Sequence, residues 1–598
     1  MANPFNIVSA EVMNIDAIGA EFVGDHSEYA KLASYSHTLI LGSRGTGKSM
    51  HLRILEPIPQ AQRRSAGFDG DVRRFLEADG AFIGVYINCR DSALNRSEFK
   101  SVHRLPGVNE TTLRVVFDHY MGSNIAVRIC DTILSQLPWL HDLPVSEQEI
   151  PVPVSQAYED DVNTLGDLLL SLRHQSALSS KSIAGIIEEY FLQSPEKPSF
   201  ESFPETSIRL AGHIGEFCRF LKLKGGLSVP FFLLFDEVNE LSRIQQECVN
   251  SLIAERSQQD VCVKIASQLH GYTTQRSSSD NVDLIHDYTT INLEGLYTNN
   301  QQAYYRRAEG ILNERLERAG IAKTIQDYIP PNPGDAKDMT KARQIAEKRY
   351  LAIPEAKRPN DKANFIKKYA PAILFQEVRH AKAANNYAGF DNLVHLSSGI
   401  VRAVIDCCSR MYTGFNEQNP GMEPDSIPVS IQNEVIQEYS DEFIEAHILE
   451  RIEGLDPDAQ EKEKLEALLQ LLLGLGALFR HRLMDRESRE PRIISISIKD
   501  KIPPLLGSVL VLAEKEAFLH KKWYRSKRGN RNLPCYVLNR RLCPHFNLDP
   551  SGFQGRLEVR ADELAVALEE PDKFVQLVLN RSRGETVEDE NQLALFEW

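Results

Sequence analysis

The chain predicts an α/β fold: a parallel sheet interrupted by helical insertions, then a smaller helix-and-hairpin domain. Three observations carry this. Apolar strands alternate with helix-length amphipathic segments through the first half of the chain. The strand "HTLIL" runs into the glycine-rich turn and helix of "GSRGTGKSMHLRILE". Near the other end, "AFLHKKWYRSKRGNRNLPCYVLN" reads as two strands about Gly529-Asn530, behind amphipathic helices.

The first element is Gly42-Ser43-Arg44-Gly45-Thr46-Gly47-Lys48-Ser49, which satisfies GxxxxGK[ST] in a strand-loop-helix context. Glycines let consecutive backbone N–H groups turn toward phosphate oxygens, and the helix N-terminus adds partial positive charge. Lys48 is placed to reach the terminal phosphates of ATP, and Ser49 offers a Mg²⁺ ligand.

Next, "AFIGVYINC" reads as a second strand, and "FFLLFDEVNEL" as a Walker B strand whose apolar run ends on Asp236 and Glu237. Asp236 is expected to hold Mg²⁺ through its water shell, and Glu237 to activate the attacking water. The conjunction with the P-loop favours hydrolysis over mere binding. "DVCVKIASQ" and "YTTINLEGL" complete five strands.

These motifs, with "HLSSGIVRAVIDCC" at 395–408, resemble an AAA+ ATPase of the origin-recognition and initiator branch, of the kind found in bacteria. The resemblance covers about residues 1–410 and extends through a winged-helix domain behind them. It implies a polar residue at the tip of the strand after Walker B that senses the γ-phosphate; Ser267 and Gln268 both fit, with Gln268 favoured. It implies a lid helix opening on Gly-x-x-Arg, whose arginine is Arg402. It implies a finger reaching a neighbouring subunit, which Arg276 matches by position, with Arg256, Arg306 and Arg307 as alternatives, and hence a homo-oligomer. "LSSG" is similar to the ABC-type signature but follows the Walker B strand by some 160 residues, so that family is rejected. For bacterial relatives the resemblance implies antiviral defence or mobile-element control, with a separate effector protein.

The expected organisation is an ATPase core over 1–297 with a helical insertion at about 105–228, and a helical lid over 298–415 with a basic insertion at about 329–385. A winged-helix domain follows over 425–550, then an extension over 551–598 ending in a flexible acidic tail. The first insertion is read as a helical subdomain. The second, rich in proline and lysine, reads as a solvated, partly mobile face rather than a phosphate track.

In the hairpin, Lys521, Lys522, Arg525, Lys527, Arg528 and Arg531 suit contact with DNA phosphates, with Trp523 or Tyr524 available to pack on a sugar or base. The runner-up reading is a nucleotide-gated scaffold that holds an effector protein without reading DNA. At the extreme C-terminus, Gln592, Leu593, Leu595 and Phe596 resemble the Gln-Leu-x-Leu-Phe peptide that docks on bacterial sliding clamps.

Composition bounds the rest. The chain has 598 residues, 42% hydrophobic and 25% charged, with formal charge −15, so a nucleic-acid contact must come from local basic patches. The opening residues lack a secretory pattern, and "LEALLQLLLGLGALF" is too short for a bilayer span, so a cytoplasmic protein without a membrane segment is expected. Nine scattered cysteines fit reduced thiols. His520, Cys535, Cys543 and His545 match no standard zinc spacing. No nuclease, nucleophile-elbow or deaminase pattern is visible, and kinase and transporter readings lack their motifs.

Overall fold

Five parallel strands form the sheet that the apolar runs predict: β1 (Thr38–Leu41), β2 (Ile83–Asn88), β3 (Phe231–Asp236), β4 (Val261–Ser267) and β5 (Thr289–Asn292), in the order β2-β3-β4-β1-β5. The computed structural model describes residues 3–6, 9–23, 26–63, 67–91, 93–96, 99, 109–155, 162–192, 207–254, 260–274, 276, 288–295, 300–379, 386–456, 459–488, 490–525, 532–552 and 555–588. Lys527, Arg528, Arg531, Arg256, Gln592, Leu593, Leu595 and Phe596 lie outside them.

The chain divides into two compact units, residues 8–311 and residues 1–7 with 312–598. In the first, side chains of β3 alternate between two cores. Phe231, Leu233 and Phe235 enter one, and Phe232 and Leu234 the other. Covered on both faces, the strand is apolar at every position before Asp236, which explains why it reads as an unbroken run. On the second face Phe82 stacks on Phe232 with ring centroids 4.2 Å apart. Gly84 is required in β2, because a Cβ there would lie 2.0 Å from the Leu55 carbonyl oxygen. The register Asn88↔Asp236 and Leu41↔Ser267 brings the strand ends to one edge, which is where the site forms.

The helical insertion packs onto the sheet. Helix Glu110–Gln136 buries Leu113, Val116, Phe117, Tyr120, Ile125, Ile129 and Ile133 in the same core as β2, β3 and β4. Its apolar positions recur at helical spacing because one face lies on the sheet.

In the second unit, the proline- and lysine-rich segment forms two helices, Asp335–Ala352 and Lys362–Ile373. Ala342, Ala346 and Tyr350, one turn apart, are buried. Pro354 and Pro359 fall in the connection, where they cost no helix hydrogen bond, and Pro371 alone of these lies inside a helix. These helices form the segment read as a solvated face, and most of their residues are at least partly exposed.

Residues of the expected lid and of the expected winged-helix domain both lie in this unit. Buried polar groups join them: Ser398 accepts the Arg540 N–H at 2.7 Å, and Tyr387 donates to the Leu548 carbonyl at 3.0 Å. Strands β6 (Ser495–Ile498), β7 (Leu519–Arg525), β8 (Asn532–Leu538) and β9 (Leu557–Val559) form a sheet in the order β7-β8-β6-β9. The predicted hairpin is present as antiparallel β7 and β8, from Leu519↔Leu538 to Arg525↔Asn532.

Helix Gln460–Met484 is the one described helix long and apolar enough to cross a membrane, and over half of its apolar window is buried within the fold. Its Gly476 lets the Phe546 ring approach: a Cβ there would lie 2.3 Å from the ring. All nine cysteines are buried and none is in a disulfide. Among the described residues no group of three or more His, Cys, Asp or Glu side chains gathers as a metal set. His545 instead pairs with Asp441 at 2.6 Å.

Candidate nucleotide site

The P-loop leaves β1 and turns into helix Lys48–Arg53. Gly45 (φ 88°) and Gly47 (φ 95°) hold left-handed backbone that a side chain would strain. Thr46 tightens the turn by donating from Oγ1 to the Ser43 carbonyl at 2.9 Å, and Gly42 leaves room for that hydroxyl. Lys48 is buried, and its amine donates to the carbonyls of Gly42 at 2.9 Å and Ser43 at 3.1 Å. Burial lowers its pKa, and Glu237, Asp236 and Glu294 oppose that fall. Arg44 points to solvent.

Walker A and Walker B meet directly: the Ser49 hydroxyl bonds to the Asp236 carboxylate. The Tyr86 hydroxyl donates to Asp236 Oδ2 at 2.8 Å, and the Glu237 N–H to Oδ1 at 3.0 Å. Burial pushes the Asp236 pKa up to about 6, against the pull of those hydroxyls and Lys48. A hydroxyl and one carboxylate, both oxygen donors, fit a hard ion that keeps water and phosphate oxygens in its remaining positions. Magnesium is therefore compatible with these two residues.

Glu237 follows at φ 54°, a left-handed conformation for a non-glycine residue, and is 6% exposed. Asn239 Nδ2 donates to its Oε2 at 3.3 Å, and Asn239 Oδ1 accepts the Gln268 N–H at 3.1 Å. Of the two residues weighed for the strand tip, Ser267 is fully buried with Oγ bonded to the Gln268 carbonyl, whereas Gln268 is half-buried.

Four neighbours of the P-loop carry no motif. Glu294, just past β5, accepts the Ser43 N–H at 2.5 Å and also the Ser43 hydroxyl. Beneath the loop, His51 Nδ1 meets the Gly47 carbonyl at 2.8 Å, and Glu28 lies 3.7 Å from His51 and 3.6 Å from Arg307. An acidic residue ending an apolar strand was the visible signal for Glu294; Tyr86 and Arg307 had none.

The arginines divide by exposure. Arg307 is buried beneath the P-loop and so cannot serve as a finger reaching another subunit. Arg276 is exposed, with its carbonyl held by Asn250 Nδ2 at 2.8 Å, and Arg306 is exposed on helix Gln301–Arg318. Arg402 is exposed in the first turn of helix Val401–Gln418.

On β7 the basic residues differ from one another. Lys521 Nζ lies 3.7 Å from buried Glu514 and over the rings of Trp523 and Tyr536. Burial, and then the Arg540 guanidinium, hold the Lys522 amine down to about 8. Arg525 ends the strand, and Trp523 is 62% exposed.

No curated protein and no solved structure matches the chain. The family model described as ORC-CDC6-like matches residues 3–559, nearly the whole length. With a P-loop, a Walker B pair and the β2-β3-β4-β1-β5 sheet in place, the chain belongs to the ORC-CDC6-like family of initiator-like AAA+ ATPases.

Proposed function

We propose that the protein is an ATP-hydrolysing switch that assembles through its nucleotide sites and engages DNA through the β7–β8 hairpin of a winged-helix domain. The observation that carries the enzymatic part is the Ser49–Asp236 contact beside Lys48 and Glu237. The P-loop amides bind the phosphates, and Lys48 neutralises charge as the terminal phosphoryl leaves. Glu237 accepts the proton of the attacking water. Ser49, and Asp236 through water, would hold magnesium, which when bound would supply charge neutralisation on the phosphate oxygens. Gln268 contacts the γ-phosphate from the tip of β4, and Arg276 serves a neighbouring subunit's site. The biological setting we infer is bacterial antiviral defence or mobile-element control with a separate effector.

Lys48→Ala should remove nucleotide binding, whereas Glu237→Gln should keep binding and stop turnover, because only the latter leaves the phosphate cradle intact. Normal turnover in Glu237→Gln overturns hydrolysis by this base.

A second reading, the nucleotide-gated scaffold, is favoured by one observation: Lys521 and Lys522 are engaged within the fold. ATP turnover with and without single- and double-stranded DNA separates the two. No stimulation together with no salt-dependent binding selects the scaffold.

A further inference from the structure

Glu237 carries its carboxylate from left-handed backbone, φ 54° and ψ 42°, so the direction of that carboxylate depends on what holds its side chain. Asn239 reaches it. Nδ2 donates to Glu237 Oε2 and to Glu240 Oε1, each at 3.3 Å, while Oδ1 accepts the Gln268 N–H at 3.1 Å. The amide is thus oriented by the tip of β4 and passes that orientation to Glu237.

Asn239 is itself fixed. A Cβ on Gly271 would lie 2.3 Å from the Asn239 Cβ, so glycine is what lets the two backbones approach. The Gly271 carbonyl accepts from Gln246 Nε2 at 3.1 Å, and the same amide donates to the carbonyls of Val238 at 3.3 Å and Leu241 at 3.2 Å. Gln246 is 2% exposed, so this bracket around the Walker B turn is shielded from water.

We propose that Asn239 is a positioning residue, which aims the Glu237 carboxylate at the attacking water and couples it to the end of β4. The role rests on the hydrolysis reading above. It accounts for an amide with its acceptor on the sensing strand and its donor on the base. A residue that merely closed the turn would have no use for the contact to Glu237.

The test uses the full chain with Asn239→Ala and Asn239→Asp, reading turnover, ATP affinity and melting temperature. Asn239→Ala should lower kcat about tenfold and leave the ATP dissociation constant within about twofold, as removal of an orienting contact does. Asn239→Asp keeps the acceptor for Gln268 but turns a third carboxylate toward Glu237 and Glu240. The charged or titratable groups near Glu237 are Lys48 on the P-loop helix, Asp236 on β3, Cys89 after β2 and Glu240. The added anion repels the Glu237 carboxylate and turns it from the aim that Asn239 gives it, so kcat should fall at least as far as in Asn239→Ala while ATP affinity is kept.

Parental kcat in either variant overturns the inference. So do equal losses of affinity and kcat with a lowered melting temperature in both variants, which mark a purely structural residue. If Glu237→Gln retains turnover, the hydrolysis reading has failed instead. If it blocks turnover while the Asn239 variants behave as parent, only the positioning role is lost.

Discussion

Arg307 lies against Gly47 of the P-loop: a Cβ built on Gly47 would stand 3.3 Å from the Arg307 guanidinium. The arginine comes from helix Gln301–Arg318, some 260 residues later, and meets His51 at 3.4 Å and Glu28 at 3.6 Å. All three side chains are buried. A charged cluster packed beneath the phosphate loop fixes the position of the helix start that carries Lys48.

Arg307→Met should therefore strand the Glu28 carboxylate in a dry site, at a cost of about 3 kcal/mol for breaking a buried charge pair. ATP affinity should fall with stability, because the cluster supports Gly47. Urea unfolding of Arg307→Met alone and with Glu28→Gln checks this. The double variant should recover part of the loss, and additive losses would show that the two charges act independently.

The sheet was legible because both its faces are covered, which makes β2, β3 and β4 nearly continuous apolar runs ending in polar residues. The P-loop and Asp236-Glu237 were legible because phosphate chemistry dictates residue types at fixed spacing. Tyr86, Asn239 and Arg307 were not. Each acts through a contact set by tertiary packing, and a tyrosine in a strand or an arginine on a helix has many uses. In the proline- and lysine-rich segment, composition hid the helices, although Ala342, Ala346 and Tyr350 stood at helical spacing within it.

Asp236 gives the site a pH dependence. Burial pushes its carboxyl up from 3.8 to about 6. Between those values the unfolded chain has lost the proton and the folded chain keeps it, so this group's contribution to stability falls as pH rises toward 6. Only the ionised carboxylate suits magnesium. Apparent Mg²⁺ affinity in turnover assays should therefore drop below pH 6, approaching tenfold per pH unit. A flat Mg²⁺ requirement from pH 7 to 5 would show that Asp236 is ionised throughout.

Arg276 offers a test of assembly. Its exposed side chain sits on a segment held by two buried amides, Gln246 accepting the Thr273 N–H at 2.9 Å and Asn250 holding the Thr274 and Arg276 carbonyls. Arg276→Ala should bind ATP normally and turn it over at least tenfold more slowly, as removal of a trans arginine does. Mixed with Glu237→Gln, which lacks the base but keeps the arginine, it should regain part of its turnover. No recovery on mixing would place Arg276 in the service of its own subunit or of none.

The proposed DNA contact can be tested on two groups of hairpin cations. Lys521 faces buried Glu514, and Lys522 is half-buried beside Arg540, whose guanidinium donates to the Pro550 carbonyl at 2.8 Å. Neutralising this pair to Gln should lower the melting temperature and leave the salt dependence of DNA binding nearly unchanged. Arg525 ends β7, and Lys527, Arg528 and Arg531 follow it in sequence before β8 begins at Asn532. Changing these four to Gln should weaken binding alike on unrelated duplex sequences and reduce the slope of log K against log salt by about 0.9 for each phosphate no longer neutralised. Fluorescence anisotropy across a salt series measures both effects. An unchanged slope in the four-residue variant, with binding intact, would move the DNA contact off the hairpin altogether.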